Sequence, residues 1–251
     1  MKTLARASDL LNLFISESSS MSLTEITQAL DWSKPTAFRF CRALQELGML
    51  DRDAHGAFSL GPMTLDLGTA YLAANPTRSL AAQVAEDLSR TTGATVLICL
   101  LIKSELVVVV TAEGTATIKV AAQLGERLPI YATAGGKAIA ASLAEDEMED
   151  LIGTLTFDSF SPRTINSART FRDELKKVQK DGYSLALEEY RMGVFSVAVA
   201  LAPSLFARPS ALVAVLPSML APREDRDELI AALNSARAQL DPLSDRESTL
   251  R

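Results

Sequence analysis

Met21–Leu60, MSLTEITQALDWSKPTAFRFCRALQELGMLDRDAHGAFSL, decides how the amino-terminal part of this chain folds. Ser22 and Glu25 have the Ser-x-x-Glu spacing of a capping box, which starts a helix at Ser22. Ile26, Ala29 and Leu30 then recur at helical spacing. Asp31-Trp32-Ser33 interrupts the pattern, and Trp32 is expected to pack between two helices. Ser33 opens the second helix, whose first turn holds Lys34 and Pro35, where proline is tolerated. Ala37, Phe40, Cys41, Leu44 and Leu47 form one apolar stripe, and Gly48 closes the helix.

The other face of that second helix carries the function. At about 100° per residue, Arg39 and Arg42 point away from the stripe, with Phe38 at their edge and Thr36 on the other flank. Outward arginines near a helix start suit guanine edges or phosphates, and an outward phenylalanine suits a thymine methyl. Met49–Asp53 and Ala57–Leu60 read as two strands joined at Ala54-His55-Gly56, a wing. The expected DNA-contacting set is Ser33, Lys34, Pro35, Thr36, Phe38, Arg39 and Arg42 from the helix. Arg52 and His55 join it from the wing, on phosphate or the adjacent minor groove. A helical adaptor that packs on a protein partner is the alternative, and it leaves Phe38 and the wing unexplained.

Composition narrows the classes. Net charge is −6, and residues 1–75 hold six Lys/Arg against eight Asp/Glu, so the reader domain is not basic overall. Four of those six positives fall between Lys34 and Arg52, opposed only by Glu46 and Asp51. A footprint this small gives modest phosphate affinity per subunit, so a homodimer or dimer of dimers is expected. No window approaches ~18 uninterrupted apolar residues, which excludes a membrane-spanning helix. MKTLARASDLLNLFISES is interrupted by Asp9 and Asn12 and lacks a cleavage pattern. It reads as an amphipathic helix (Leu4, Ala7, Leu10, Leu11, Phe14), not a signal peptide. Cys41 and Cys99 lie far apart in apolar segments, as buried thiols of a reducing, cytoplasmic compartment do.

Beyond the wing, Gly61-Pro62 punctuates, and Met63, Leu65, Leu67, Ala70, Tyr71 and Leu72 form a helix that is apolar on several sides and ends at Asn75-Pro76. A helix of this kind is buried by a partner subunit as well as by its own chain. Leu80, Val84 and Leu88 mark a further helix to Gly93. Strands are expected at Ala94–Ile102, Leu106–Ala112, Thr117–Ala122, Tyr183–Leu187, Val194–Leu201 and Ala211–Leu216. Helices are expected at Ala134–Leu143, Glu145–Ile152, Ala168–Asp181 and Asp225–Leu240. The strands form two antiparallel groups with helices between them, an α+β sensor-like domain. The expected boundaries are 1–60 for the winged helix-turn-helix, 61–77 for the linker helix and 78–246 for the effector domain. Residues 247–251 are a tail, with fraying from Ser244.

Five blocks in order carry a resemblance to one family. They are SLTEITQALDWSKPTAFRF, the RDAHGAFSLG wing exit, LPIYATAGGKAIAA at 128–141, SPRTI at 161–165 and DGYSLALEEYRMG at 181–193. Over nearly its whole length the chain resembles the IclR family of bacterial transcriptional regulators. The resemblance implies an α+β protein: an N-terminal winged helix-turn-helix, a linker helix and a C-terminal effector domain of GAF/profilin-like fold. It also implies a double-stranded DNA operator, a small-molecule effector that modulates operator binding, and members that repress or activate. In the reader domain, Pro35 stands where the family commonly has Ser and Phe38 where it has His, while Thr36 and Arg39 match.

Departures cluster at the effector site. Tyr131 replaces a frequent His, Ala186 and Leu187 replace an acidic pair, and Ser196 and Ala200 replace Cys and Pro. Ala214-Val215-Leu216-Pro217 stands where a Ser-x-Ser pattern often precedes Gly-Pro. The expected effector set is Leu128, Tyr131, Thr133, Ala134, Gly135, Gly136, Ala186, Val194, Ser196, Ala214 and Leu216. Backbone N–H groups at the start of the 134–143 helix are available to an anion. An effector more apolar than a simple keto acid is expected, aromatic or with one carboxylate.

Other chemistries fail on their residues. A Walker loop around Gly135-Gly136-Lys137 would need glycine at Tyr131 and Ser/Thr at Ala138. Lys137 is expected at a helix surface or interface, and Glu188-Glu189 in a cap or salt bridge. With His55 the only histidine, a His-based triad or multi-His metal site is excluded, and no G-x-S-x-G elbow occurs. Neither an enzyme nor a cofactor is expected.

Overall fold

In the computed structural model, which describes residues 2–16, 20–73, 76–221 and 226–248, the capping box forms. The Ser22 amide donates to Glu25 Oε2 at 2.7 Å, and the Glu25 amide donates to Ser22 Oγ at 3.3 Å. Around it the first compact unit, Met1–Asn75, comprises α1 (Lys2–Ser16), α2 (Leu23–Leu30), α3 (Lys34–Glu46), β1 (Leu50–Arg52), β2 (Phe58–Leu60) and α4 (Pro62–Ala73). β1 and β2 pair antiparallel, Asp51 opposite Ser59.

Leu10, Phe14, Ile26, Ala37, Phe40, Cys41, Leu44, Leu50 and Phe58 close one core over α1, α2, α3 and the wing. Full burial of each large side chain contributes about 1.5–3 kcal/mol. Trp32 packs on Phe40 with ring centroids 5.3 Å apart. Two apolar residues leave their expected faces. Leu4 is exposed because it precedes the core, which Ala7 edges and Leu10 enters fully. Leu47 is exposed because it is the C-cap of α3, and Gly48, at φ 69°, turns the chain away. Met63, Leu65, Leu67 and Tyr71 of α4 are all exposed on this chain.

The second unit, Pro76–Arg251, holds one six-stranded antiparallel sheet of order β5-β4-β3-β8-β7-β6. Its elements are α5 (Pro76–Thr92), β3 (Thr95–Ile102), β4 (Glu105–Ala112), β5 (Arg127–Pro129), α6 (Ala134–Ser142), α7 (Glu145–Thr154), α8 (Ala168–Asp181), β6 (Ser184–Leu187), β7 (Val194–Leu201), β8 (Ser210–Pro217) and α9 (Arg226–Ser248). The two expected strand groups are one sheet, because β3 pairs with β8, Val96 opposite Ala214. One face packs α5 and α9 over Ile98, Val197, Leu212 and Leu233. The other packs α6, α7 and α8 over Leu97, Val213, Ile139 and Phe171.

Several expectations need correction. Thr117–Ala122 is not a strand. Side-chain hydroxyls hold this segment instead, Thr95 Oγ1 donating to Val120 O at 2.8 Å and Thr111 Oγ1 to Ala122 O at 3.4 Å. The edge strand is the three-residue β5, too short and too near Pro129 to show in the pattern. In α5, Leu80 is exposed while Ala81, Ala85 and Leu88 are buried. α9 continues past the expected end at Leu240, to Ser248. The expected stops and starts at Asn75 and Asp225, and the last tail residues 249–251, lie outside the described residues.

A bulge in β4 reassigns faces. Ile98 pairs with Val110 but Cys99 with Val108, so Val109 is the extra residue. Leu106 and Val108 therefore face α6, whereas Val110 and Ala112 face α5.

Candidate functional site

α3 presents a polar, unpartnered edge to solvent. Ser33, Lys34, Pro35, Phe38, Arg39 and Arg42 are exposed and Thr36 is half-buried. Ser33 makes no cap to the backbone; its hydroxyl lies 2.9 Å from Thr36 Oγ1. Arg39 carries no ion pair among the described contacts, and its guanidinium lies 5.7 Å from the Phe40 ring. Arg42 is held by Glu46 at 3.1 Å, an exposed pair that a phosphate can replace at little cost. In the wing, Arg52 lies over Phe58 and donates to Gly56 O at 3.2 Å, so it braces the hairpin. His55 stands exposed at the tip.

Asp53 ties the wing turn. Its Oδ1 accepts from the His55 and Ala57 amides, each at 2.9 Å. The Ala57 amide first, and His55 after it, hold the carboxyl below its usual range. A depressed folded-state value gives stability that is present above the unfolded value, about 3.9, and lost as pH falls through the folded one. Amide resonances of His55 and Ala57 are therefore expected to shift cooperatively below pH 4 and to show no such transition in Asp53→Ala; identical titrations in both proteins would refute the tie.

In the second unit a cavity opens between the sheet and the start of α6, with an empty volume of about 630 Å³ counting its open mouth. Its walls are Leu97 and Cys99 of β3, Leu106 of β4, Leu128 of β5, Ala186 of β6, Val194 and Ser196 of β7, and Val213 and Val215 of β8. Ala132–Gly135 form one end, and 120–122 with Glu126 cover a side. Of the expected effector residues, Leu128, Thr133, Ala134, Gly135, Ala186, Val194 and Ser196 thus converge. Tyr131, Gly136, Ala214 and Leu216 do not. Tyr131 faces a neighbouring cleft, its hydroxyl donating to Asp158 O at 3.1 Å. Gly136 sits against the Ile130 backbone. Ala214 and Leu216 pack toward α5 and α9, because strand alternation assigns the cavity to Val213 and Val215.

Polar groups at the cavity are few. Thr133 caps α6: its hydroxyl donates to Pro129 O at 2.7 Å and accepts from the Gly136 amide at 3.3 Å. The Gly136 N–H is thereby used and does not face a ligand. Burial pushes the Cys99 thiol up to about 12, so it is a neutral wall. Arg191 and Glu126 pair at 2.8 Å at the more exposed end. Tyr190 lines both this cavity and the cleft beside Tyr131.

Behind the cavity Lys137, expected at a helix surface or interface, meets Glu189, expected in a cap or salt bridge. Lys137 is fully buried and bonds Glu189 Oε1 at 2.8 Å and Glu174 Oε1 at 3.3 Å. Residues 134–140 of α6 are all buried, between the sheet and α8, and the alanines around the lysine were the available signal. Burial pushes the Glu189 carboxyl up, with Lys137 only partly opposing it. Burial acts the same way on Glu174, but Lys137 and Lys177 outweigh it and hold that carboxyl low. Glu188, at φ 58°, accepts from the Gly193 amide and Ser218 Oγ, fixing the β6–β7 turn.

A winged reading helix and a domain built around an apolar cavity, carried on one chain, define a ligand-responsive DNA-binding regulator. Comparison agrees. The IclR helix-turn-helix domain model matches residues 3–54, and the model of the bacterial transcriptional regulator IclR C-terminal domain matches residues 69–241. The chain is 30% identical to the HTH-type transcriptional regulator XynR of Escherichia coli K12 over 231 residues, 91% of this chain and 90% of that one. An IclR transcriptional regulator from Alicyclobacillus acidocaldarius superposes with TM-score 0.85 at 22% identity, covering 97% of this chain and 99% of that one. An IclR homologue from Microbacterium hydrocarbonoxydans, crystallised with 4-hydroxybenzoate, gives TM-score 0.78 at 19% identity, covering 95% and 97%. The chain belongs to the IclR family: it is a DNA-binding transcriptional regulator with a C-terminal effector-binding domain, and the family is not enzymatic. No described helix is long and apolar enough to cross a membrane.

Proposed function

We propose that α3 enters the major groove with Thr36, Phe38, Arg39 and Arg42 toward base edges, Ser33, Lys34 and Pro35 at the backbone, and Arg52 and His55 following along the wing. The observation that carries this is the exposed Phe38 beside Arg39, which has no ion pair among the described residues, on the face of α3 that the core leaves open. The protein works in the cytoplasm as a homodimer or dimer of dimers. The exposed Met63, Leu65, Leu67 and Tyr71 of α4 support a subunit contact. The effector sits in the cavity beside Val213 and is aromatic with one carboxylate. The apolar walls and the aromatic acid bound by the Microbacterium relative support that class.

Selecting genomic fragments with the purified protein tests the reading. A short near-palindromic site is expected. Arg39→Ala should weaken it by about 1–3 kcal/mol and relax one base position. A loss equal across all sequences would make Arg39 a phosphate contact. Calorimetry with 4-hydroxybenzoate and malonate tests the effector class, and tight binding of the dicarboxylate would overturn it.

A further inference from the structure

Among the described residues, three buried side-chain polar atoms lack a hydrogen-bond partner: Glu189 Oε2, Ser210 Oγ and Arg226 Nε. Only Glu189 borders the cavity. Buried acceptors are almost always satisfied, so one left open beside a ligand cavity calls for an explanation.

We infer that the inner end of the cavity takes a neutral hydrogen-bond donor of the ligand, a hydroxyl, on Glu189 Oε2, so that Glu189 sets effector specificity. The inference rests on the cavity being the effector site. Four observations carry it. Glu189 Oε1 is fixed by Lys137 at 2.8 Å, which aligns the carboxylate and leaves its second oxygen buried without a hydrogen-bond partner. The Glu189 backbone is held as well, its carbonyl accepting from Thr164 Oγ1 at 2.6 Å and Ser161 Oγ at 3.2 Å. The group is therefore preorganised and does not turn away to find another partner. Charge decides between a cationic and a neutral donor. Lys137 and Lys177 already balance Glu174 and Glu189, so a second cation beside Glu189 would be in excess. Finally, Thr133 is engaged in its cap and Glu126 with Arg191 at the exposed end, which leaves the hydroxyls of Ser196 and Tyr190 as the other polar side-chain groups of the lining. A ligand with an apolar body, a hydroxyl directed inward and an acidic group that competes with Glu126 for Arg191 at the exposed end suits this lining.

Calorimetry on the full chain with three para-substituted benzoates tests it. The hydroxyl compound can donate; the fluoro compound is smaller and the methoxy compound larger, and neither donates. Wild type should bind the hydroxyl compound roughly tenfold more tightly than either, as a charge-assisted hydrogen bond predicts. Glu189→Gln should erase most of that preference, read as the ratio of the three affinities within that one protein. Glu174→Gln disturbs the same lysine without bordering the cavity, and should keep the preference.

Equal wild-type affinities for all three, or a preference lost equally in Glu174→Gln, would overturn the inference while the cavity reading stands. Binding that survives Val213→Trp, or no binding of any of the three, would overturn the cavity reading for this ligand class, and the inference with it.

Discussion

At pH 7 the Lys137→Met protein is expected to be about 3–5 kcal/mol less stable than wild type in urea unfolding, because a buried ion pair loses one partner. Lys137 has no exposed surface and is the cation that Glu189 relies on, whereas Glu174 keeps Lys177 at 3.0 Å. Without the lysine, Glu189 must stay charged in a poor environment or take up a proton. The sign with pH follows. Burial already raises the Glu189 value in the folded protein, and removing Lys137 raises it further. A folded state that binds more protons than the unfolded one loses stability as pH rises. The deficit of the mutant should therefore shrink between pH 7 and pH 5. Adding Glu189→Leu to Lys137→Met should recover part of the loss, since an apolar replacement of a whole buried pair is often neutral. A deficit under about 1 kcal/mol, the range of exposed pairs, would mean that water reaches this triad.

Gly136→Ala should be as damaging, although helix propensity alone favours alanine by about 1 kcal/mol. A Cβ at Gly136 would lie 2.1 Å from Ile130 O and 2.5 Å from Ile130 Cα. Both are backbone atoms, so no rotamer change relieves the clash, and α6 must move. Overpacking of this kind typically costs 1–3 kcal/mol, roughly, and more where the backbone is involved. Because Thr133–Gly135 form one end of the cavity, ligand affinity should fall with stability. Thermal unfolding and calorimetry on one sample check both, and an unchanged melting temperature would show that the α6–Ile130 approach is soft.

Much of this was legible from residue order. The capping box, the α3 faces, the wing, and the ranges of α8 and β7 each rest on local chemistry that outweighs tertiary context. What escaped the sequence depends on which way a side chain points in three dimensions. Lys137 reads as a helix-surface or interface residue, since charge inside a helix normally means solvent or a partner, and its actual partners lie 37 and 52 residues away. The bulge at Val109 splits the even-numbered Leu106, Val108, Val110 and Ala112 between two cores, which the strand range alone does not reveal. Thr117–Ala122 has strand-like residues, but hydroxyl groups and not a ladder hold it. On β8 the expected pair, Ala214 and Leu216, fell one residue from the positions that border the cavity, and a single-residue slip exchanges the faces.

That same alternation sorts β8 for anyone converting this regulator into a sensor for a new compound. Val213 and Val215 end in the cavity, so if it seats the effector as proposed, enlarging or polarising them reshapes that seat. Leu212 and Ala214, each one peptide away, belong to the packing under α5 and α9, and rewriting them damages the scaffold and not the specificity. A library that varies 213 and 215 and freezes 212 and 214 spends its diversity on recognition. One that randomises the whole strand mostly samples broken proteins.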